Sequence, residues 1–263
     1  VSDAGVRVAL IQVECNDTES VDDRIDRVLG ETDRVIGEAD FVVLPELWNT
    51  GAFDLASARH HAQPLDGDLV SRMAGIAQRH STWLHGGSFT ERADDGHFFN
   101  TSVLFGPDGS LEAIYRKIHV FGYGGEADLM SAGPELVVVN TPLGATGLAT
   151  CYDLRFPEQF RELTRQGASA FLITSGWPSA RIHAWDVLVR ARAIEDQAWV
   201  IACNQVGLQR GVHLGGHSAV VDPIGEVISR ASTEETILSA TVAPDAVARW
   251  RGEFPALSDI VPF

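Results

Sequence analysis

Cysteine is scarce in this chain: three in 263 residues, at Cys15, Cys151 and Cys203. An odd, sparse set makes no disulfide framework, and a reduced, cytoplasmic setting is the expectation. No two of the three lie close enough in sequence to form a metal knuckle. Basic residues are also few. Twenty Lys and Arg face 36 Asp and Glu, for a net charge of −16. Such a surface disfavours nucleic acid and anionic membranes as partners, although a pocket with local positive charge still suits a small anion. No apolar run reaches the roughly 18 residues that span a bilayer. Val1 to Arg7 hold no basic segment leading into an apolar run, so no secretory signal is visible there. Linkers, low-complexity runs and short-period repeats are missing as well.

What is present is a hydrophobic share of 45%, enough for a sizeable core, in a length that suits one large domain or two small ones. Residues 6–13 (VRVALIQV) read as a buried strand. Residues 19–39 carry apolar side chains at helical spacing, and Phe41 to Leu44 read as a second buried strand. This β-α-β opening predicts sheet strands covered by helices. Further helices are expected over 66–80, 157–166 and 183–197, with a short one near 244–251. Strands are expected over 83–89, 169–174, 199–204 and 236–242. Three hairpins are expected around the turn signals Gly106-Pro-Asp-Gly109, Pro142-Leu-Gly144 and Asp222-Pro-Ile-Gly225. Gly215-Gly216 reads as a flexible loop, and residues 252–263 as an exposed C-terminal arm. Hairpins mixed with crossovers predict mixed sheets with helices outside.

Three polar residues follow expected strands: Glu46, Lys117 and Cys151. Strand ends are where a scaffold presents reactive groups, and a carboxylate, an ammonium and a thiol suffice for acyl transfer. Each also has an inert reading: a loop acid, a solvated cation and a small buried hydrophobe. Spacing alone does not bring the three together.

The segments Leu44-Pro-Glu-Leu-Trp48, Tyr115-Arg-Lys-Ile-His119 and Thr150-Cys-Tyr-Asp-Leu-Arg-Phe-Pro-Glu158 resemble, in order, the three signature blocks of the nitrilase superfamily, the carbon–nitrogen hydrolases. Two later blocks are similar: Trp185 to Gln197, and Gly216-His-Ser-Ala-Val-Val-Asp-Pro223. The resemblance runs from Val8 to about Val242. It implies a single domain over 1–263, an α/β four-layer α-β-β-α sandwich with mixed sheets, and pairing into homodimers or larger homo-oligomers. It also implies a catalytic triad of Glu46 as base, Lys117 as oxyanion cation and Cys151 as nucleophile. Glu126 matches a second glutamate that positions the lysine; its other reading is a solvated loop acid. No metal or organic cofactor is implied, and the partner is a small amide.

Nitrile-hydrolysing members typically follow the nucleophile with Trp-Glu, whereas Tyr152-Asp153 is similar to amidase branches. The longer string most resembles ω-amidases, which release ammonia from 2-oxo acid ω-amides. The backbone N–H of Tyr152 is the expected second oxyanion donor. A substrate carboxylate calls for a planar guanidinium, and Arg155 is the candidate; its alternative is a scaffold ion pair with Glu158 or Asp153. Trp177 reads as a pocket wall or as core packing. His119 reads as a substrate-side acid–base group or as an ordinary hydrogen-bonded histidine. Rival activities are an N-carbamoyl amino acid or carbamoyl amine hydrolase, and a catalytically silent binding subunit.

Overall fold

The computed structural model describes residues 5–261, and its first strand, β1 (Val6–Gln12), buries both faces. Val8 and Leu10 point into one apolar cluster, Ala9 and Ile11 into another. Two-sided burial is what a near-continuous apolar run predicts for an inner strand. After it come α1 (Val21–Val35), β2 (Phe41–Val43), α2 (Leu55–His60), α3 (Asp68–His80), β3 (Trp83–Arg92), β4 (Phe98–Phe105) and β5 (Leu111–Arg116). The second half holds β6 (Val138–Thr141), β7 (Gly144–Thr150), α4 (Pro157–Arg165), β8 (Ala170–Thr174), α5 (Ile182–Asp196) and β9 (Trp199–Cys203). Then follow β10 (Val206–Gln209), β11 (Val212–Gly215), β12 (Ala219–Val221), β13 (Val227–Arg230), β14 (Thr236–Val242) and α6 (Asp245–Glu253).

Two six-stranded sheets result, in the orders β14-β1-β2-β3-β4-β5 and β13-β12-β9-β8-β7-β6. Each has a parallel centre, β1-β2-β3 and β7-β8-β9, flanked by antiparallel strands. The sheets pack face to face. Leu10, Phe41 and Val43 of one meet Leu148, Leu172 and Ile201 of the other in a single cluster. The outer face of the first sheet takes α1 and α3, through Ile25, Val28, Leu29, Met73 and Ile76. That of the second takes α4 and α5, through Phe160, Leu163, Trp185 and Val189. The architecture is the expected four-layer sandwich. In α1 the buried residues recur at helical spacing, and Ser20 caps it by accepting the Asp23 N–H at 3.1 Å. Burying each large apolar side chain contributes about 1.5–3 kcal/mol.

Two elements were not anticipated: α2, and the β10–β11 ribbon, which pairs Val206 with Gly215. The ribbon corrects the expectation of a flexible loop at Gly215-Gly216. Gly215 donates its N–H to Trp177 O at 2.8 Å and Gly216 donates to Gln205 O at 2.8 Å. Gly216 has φ +63° and a Cβ there would lie 2.5 Å from Ser232 O, so the position is fixed and demands glycine. The expected arm begins inside α6. Beyond it Phe254 is exposed while its carbonyl accepts from Gln197 Nε2 at 2.8 Å. Residues 262–263 lie outside the described residues.

The stacking of the sheets positions the site. Glu46 follows β2 and Lys117 follows β5 in one sheet, and Cys151 follows β7 and Gly176 follows β8 in the other. The carboxyl ends of parallel strands are where open α/β sheets present ligand sites.

Candidate active site

Cys151 sits where β7 leaves its sheet. It has φ +47°, a left-handed conformation that non-glycine residues seldom take, and it begins a 3-10 turn over 151–155. Asp153 holds this turn. Its Oδ2 accepts the Thr150 N–H at 2.8 Å and the Tyr115 hydroxyl at 2.6 Å. Its Oδ1 accepts the His119 N–H and faces His119 Nδ1, both at 2.9 Å. Tyr115 and His119 bracket Lys117, and Thr150 and Asp153 bracket Cys151. One buried carboxylate therefore ties the cation's segment to the thiol's.

Lys117 Nζ donates to Glu46 Oε1 at 2.8 Å and to Glu126 Oε2 at 2.8 Å. Asn100, in β4, donates one amide hydrogen to Glu46 Oε1 and the other to Glu126 Oε1, each at 2.8 Å. The second oxygen of Glu46 accepts the Gly176 N–H at 2.8 Å, and Glu126 Oε2 accepts the Phe121 N–H at 2.7 Å. A Cβ on Gly176 would fall 2.4 Å from the Ala52 Cβ, so only glycine brings this amide to Glu46. Glu46, Lys117 and Glu126 are all buried. Glu126 is thus a bonded neighbour of the lysine, not the solvated loop acid of its other reading. Asn100 escaped the sequence reading, yet Phe98-Phe99-Asn100-Thr101-Ser102 offers a signal: polar residues inside an otherwise apolar strand.

Burial alone would lower the pKa of Lys117, but the charges of Glu126 and Glu46 override it and hold the ammonium well above its usual range. Cys151 moves the same way for a different reason. Burial, then the Glu46 charge, push its thiol up, against a smaller downward pull from Lys117. The resting site therefore holds a neutral thiol, a lysinium and two acidic side chains. Nucleophilic attack from this state needs a base in reach, and an ammonium beside the carbonyl can hold developing negative charge.

One pocket joins these groups. Cys151, Glu46, Lys117 and Glu126 line it together with Arg155, Trp177 and Arg181. The Arg155 guanidinium lies 4.7 Å from the centre of the Trp177 ring. Among the described residues it has no carboxylate partner, so the ion pair with Glu158 or Asp153 does not form. Trp177 serves both of its readings: it is buried and it also lines the pocket. Tyr152 lines it beside the nucleophile. His119 does not line it; its ring is held by Asp153 and stacks on Phe156 at 3.6 Å. This corrects its placement against substrate. Arg181, missed in the sequence, stands over the rings of Phe121 and Tyr123 at 5.5 and 6.0 Å. Cys203 is buried core, its Sγ near Ile11 O at 3.4 Å, and Cys15 is buried near Trp48 O at 3.4 Å.

An α-β-β-α sandwich whose two sheets deliver a thiol, a lysinium and paired carboxylates to one pocket defines a thiol hydrolase scaffold. The chain belongs to the carbon-nitrogen hydrolase family, whose model matches residues 7–252, and it is a hydrolase of carbon–nitrogen bonds. It is 43% identical over 262 residues to the 2-oxoglutaramate amidase of Paenarthrobacter nicotinovorans, covering 96% of this chain and 88% of that one. It is 32% identical over 266 residues to omega-amidase NIT2 of Mus musculus, covering 95% and 93%. A CN-hydrolase superfamily protein of Xanthomonas campestris, solved with an arsenic adduct in its active site, superposes with a TM-score of 0.90. That pair is 32% identical, with 98% of each chain covered.

Proposed function

We propose that this chain is an ω-amidase, which hydrolyses the terminal amide of a 2-oxo acid such as 2-oxoglutaramate or 2-oxosuccinamate to the 2-oxo dicarboxylate and ammonia. The observation that carries the reading is Arg155. It is a guanidinium with no carboxylate partner among the described residues, in the pocket of the thiol, on a strongly acidic protein. A free fork there suits a substrate carboxylate. The relatives named 2-oxoglutaramate amidase and omega-amidase support the same class.

Catalysis follows from the groups around Cys151. Glu46 takes the thiol proton as Sγ bonds to the amide carbon. The carbonyl oxygen becomes an oxyanion held by Lys117 Nζ and the backbone N–H of Tyr152. Glu46 returns the proton to the amide nitrogen, the C–N bond breaks, ammonia leaves and a thioester remains. Water then loses a proton to Glu46 and attacks the thioester. The C–S bond breaks, the thiolate recovers its proton from Glu46, and the acid departs. Glu126 and Asn100 keep Lys117 and Glu46 in register, and Trp177 floors the carboxylate subsite.

The reading extends to a homodimer in the cytoplasm. Val187 and Ile194 of α5 and Val227 of β13 are exposed together as an apolar patch, which suits a self-complementary contact. Three free cysteines suit a reducing compartment.

The test is product analysis on 2-oxoglutaramate and on N-carbamoyl amino acids. Equimolar ammonia and 2-oxoglutarate from the first, with little turnover of the second, is the expected result. Ammonia with carbon dioxide, from a carbamoyl substrate at the higher kcat/KM, would overturn the reading in favour of the carbamoyl hydrolase.

A further inference from the structure

We propose that Arg181 determines selectivity at the α-carbon of the substrate: it admits ω-amides uncharged there (oxo, hydroxy or unsubstituted) and rejects those bearing an α-ammonium. The inference rests on the ω-amidase reading and adds a residue and a discrimination to it.

The cations in and around the pocket divide into those that a carboxylate neutralises and those that none does among the described residues. Lys117 is bonded to Glu46 and Glu126. Next to the pocket lies an outer cleft of about 480 Å³, which shares Phe53, Phe121, Gly124, Pro178 and Arg181 with it. Arg210 of that cleft pairs with Asp54 at 2.6 Å. Among the described residues, Arg155 and Arg181 are the arginines of the pocket without a carboxylate partner. Both guanidiniums rest on aromatic rings instead: Arg155 on Trp177, Arg181 on Phe121 and Tyr123. Trp177 links them, since its ring lies under Arg155 and its Nε1 donates to Arg181 O at 2.8 Å.

One fork suffices for one carboxylate, so the second needs another account. The thioester chemistry fixes the amide carbon at Cys151, and a carboxylate on Arg155 fixes the other end. The α-substituent lies beside that carboxylate, in the pocket that Arg155 and Arg181 both line. An oxo or hydroxyl oxygen there accepts a hydrogen bond from a guanidinium. An ammonium there meets two cations offset by no protein carboxylate but Glu46 and Glu126, which Lys117 already holds, and its like charge is repelled. Recognition and rejection come from the same two side chains.

The test compares three amides of one length, 2-oxoglutaramate, glutaramate and glutamine, with the uncharged pentanamide, on wild type, Arg181→Gln and Arg181→Lys. Thermal melting of each variant checks the fold. Wild type should prefer glutaramate to glutamine by about 100-fold or more in kcat/KM. Arg181→Gln should narrow that gap about tenfold. Arg181→Lys should keep the gap, because the charge stays, while KM for 2-oxoglutaramate rises. A gap unchanged in Arg181→Gln overturns the inference alone, with the ω-amidase reading intact. A gap lost in both variants overturns the charge account. A wild type that hydrolyses pentanamide but no ω-amide acid overturns the substrate reading and this inference with it.

Discussion

The floor and the rim of the pocket are built on opposite plans. On the floor, Lys117, Glu46, Glu126 and Asn100 are buried and bonded to one another. At the rim, Arg155 and Arg181 are half-buried and lean on aromatic rings, with no carboxylate among the described residues to hold them. A floor bonded in advance needs little reorganisation when charge develops at the carbonyl. Rim cations held only by weak ring contacts keep their hydrogen-bonding capacity for a ligand. On the proposed reading the difference separates two tasks: the floor sets the rate, and the rim sets which amide is processed.

If that division holds, floor variants lose kcat and rim variants lose KM. The largest effect is expected at the base. Glu46→Gln should lower kcat by about 10²–10⁴-fold. Yet it should shift the thiol of Cys151 downward in pKa, because one of the charges that push it up is removed. Iodoacetamide alkylation against pH measures this, and a thiol made less acidic would contradict the arrangement. Lys117→Gln should lower kcat by about 10²–10³-fold with less change in KM. An effect confined to KM would move the lysine from floor to rim. Arg155→Lys should leave kcat nearly intact and raise KM for 2-oxoglutaramate, at a cost of about 1.5–3 kcal/mol. Equal losses on a neutral amide of similar length would make Arg155 structural.

The remaining effect falls outside the pocket and on stability, not on turnover. Burial in β3 pushes His85 down to about 4 from its usual 6.5. The folded state keeps it neutral while the unfolded chain takes up a proton below about pH 6.5. The stability due to the neutral ring is therefore complete above pH 6.5 and is lost as pH falls through 4. The loss is about 3 kcal/mol at roughly 1.4 kcal/mol per unit. Urea melts should show the stability difference between wild type and His85→Gln shrinking by that amount from pH 7 to 4. A constant difference would mean that His85 titrates alike in both states.

The layers were legible because the chain repeats a two-sided apolar strand followed by an amphipathic helix, as in Val8–Ile11 and then Ile25, Val28 and Leu29. The β10–β11 ribbon was not. Its turn is Arg210-Gly211, with φ of +46° and +79°, a primed hairpin turn in which asparagine, not arginine, is the usual first residue. Helix α2 buries only Ala58 within its span, so it carries no apolar stripe to read. In the site, motif residues Glu46, Lys117 and Cys151 could be named from the sequence, but their meeting depends on how two sheets stack. Asn100 and Arg181 belong to none of the motifs. Each gains its meaning from neighbours distant in sequence: Asn100 from Glu46, and Arg181 from Phe121.

In the proposed mechanism the acyl group passes through Cys151. Rapid-quench mass spectrometry during turnover of 2-oxoglutaramate tests it directly. Peptides covering Cys15, Cys151 and Cys203 are compared in wild type and in Cys151→Ala. A substrate-derived acyl mass on the Cys151 peptide, formed and lost within the turnover time, with no turnover in Cys151→Ala, is the predicted result. An acyl mass on Cys15 or Cys203, or undiminished ammonia release by Cys151→Ala, would contradict it.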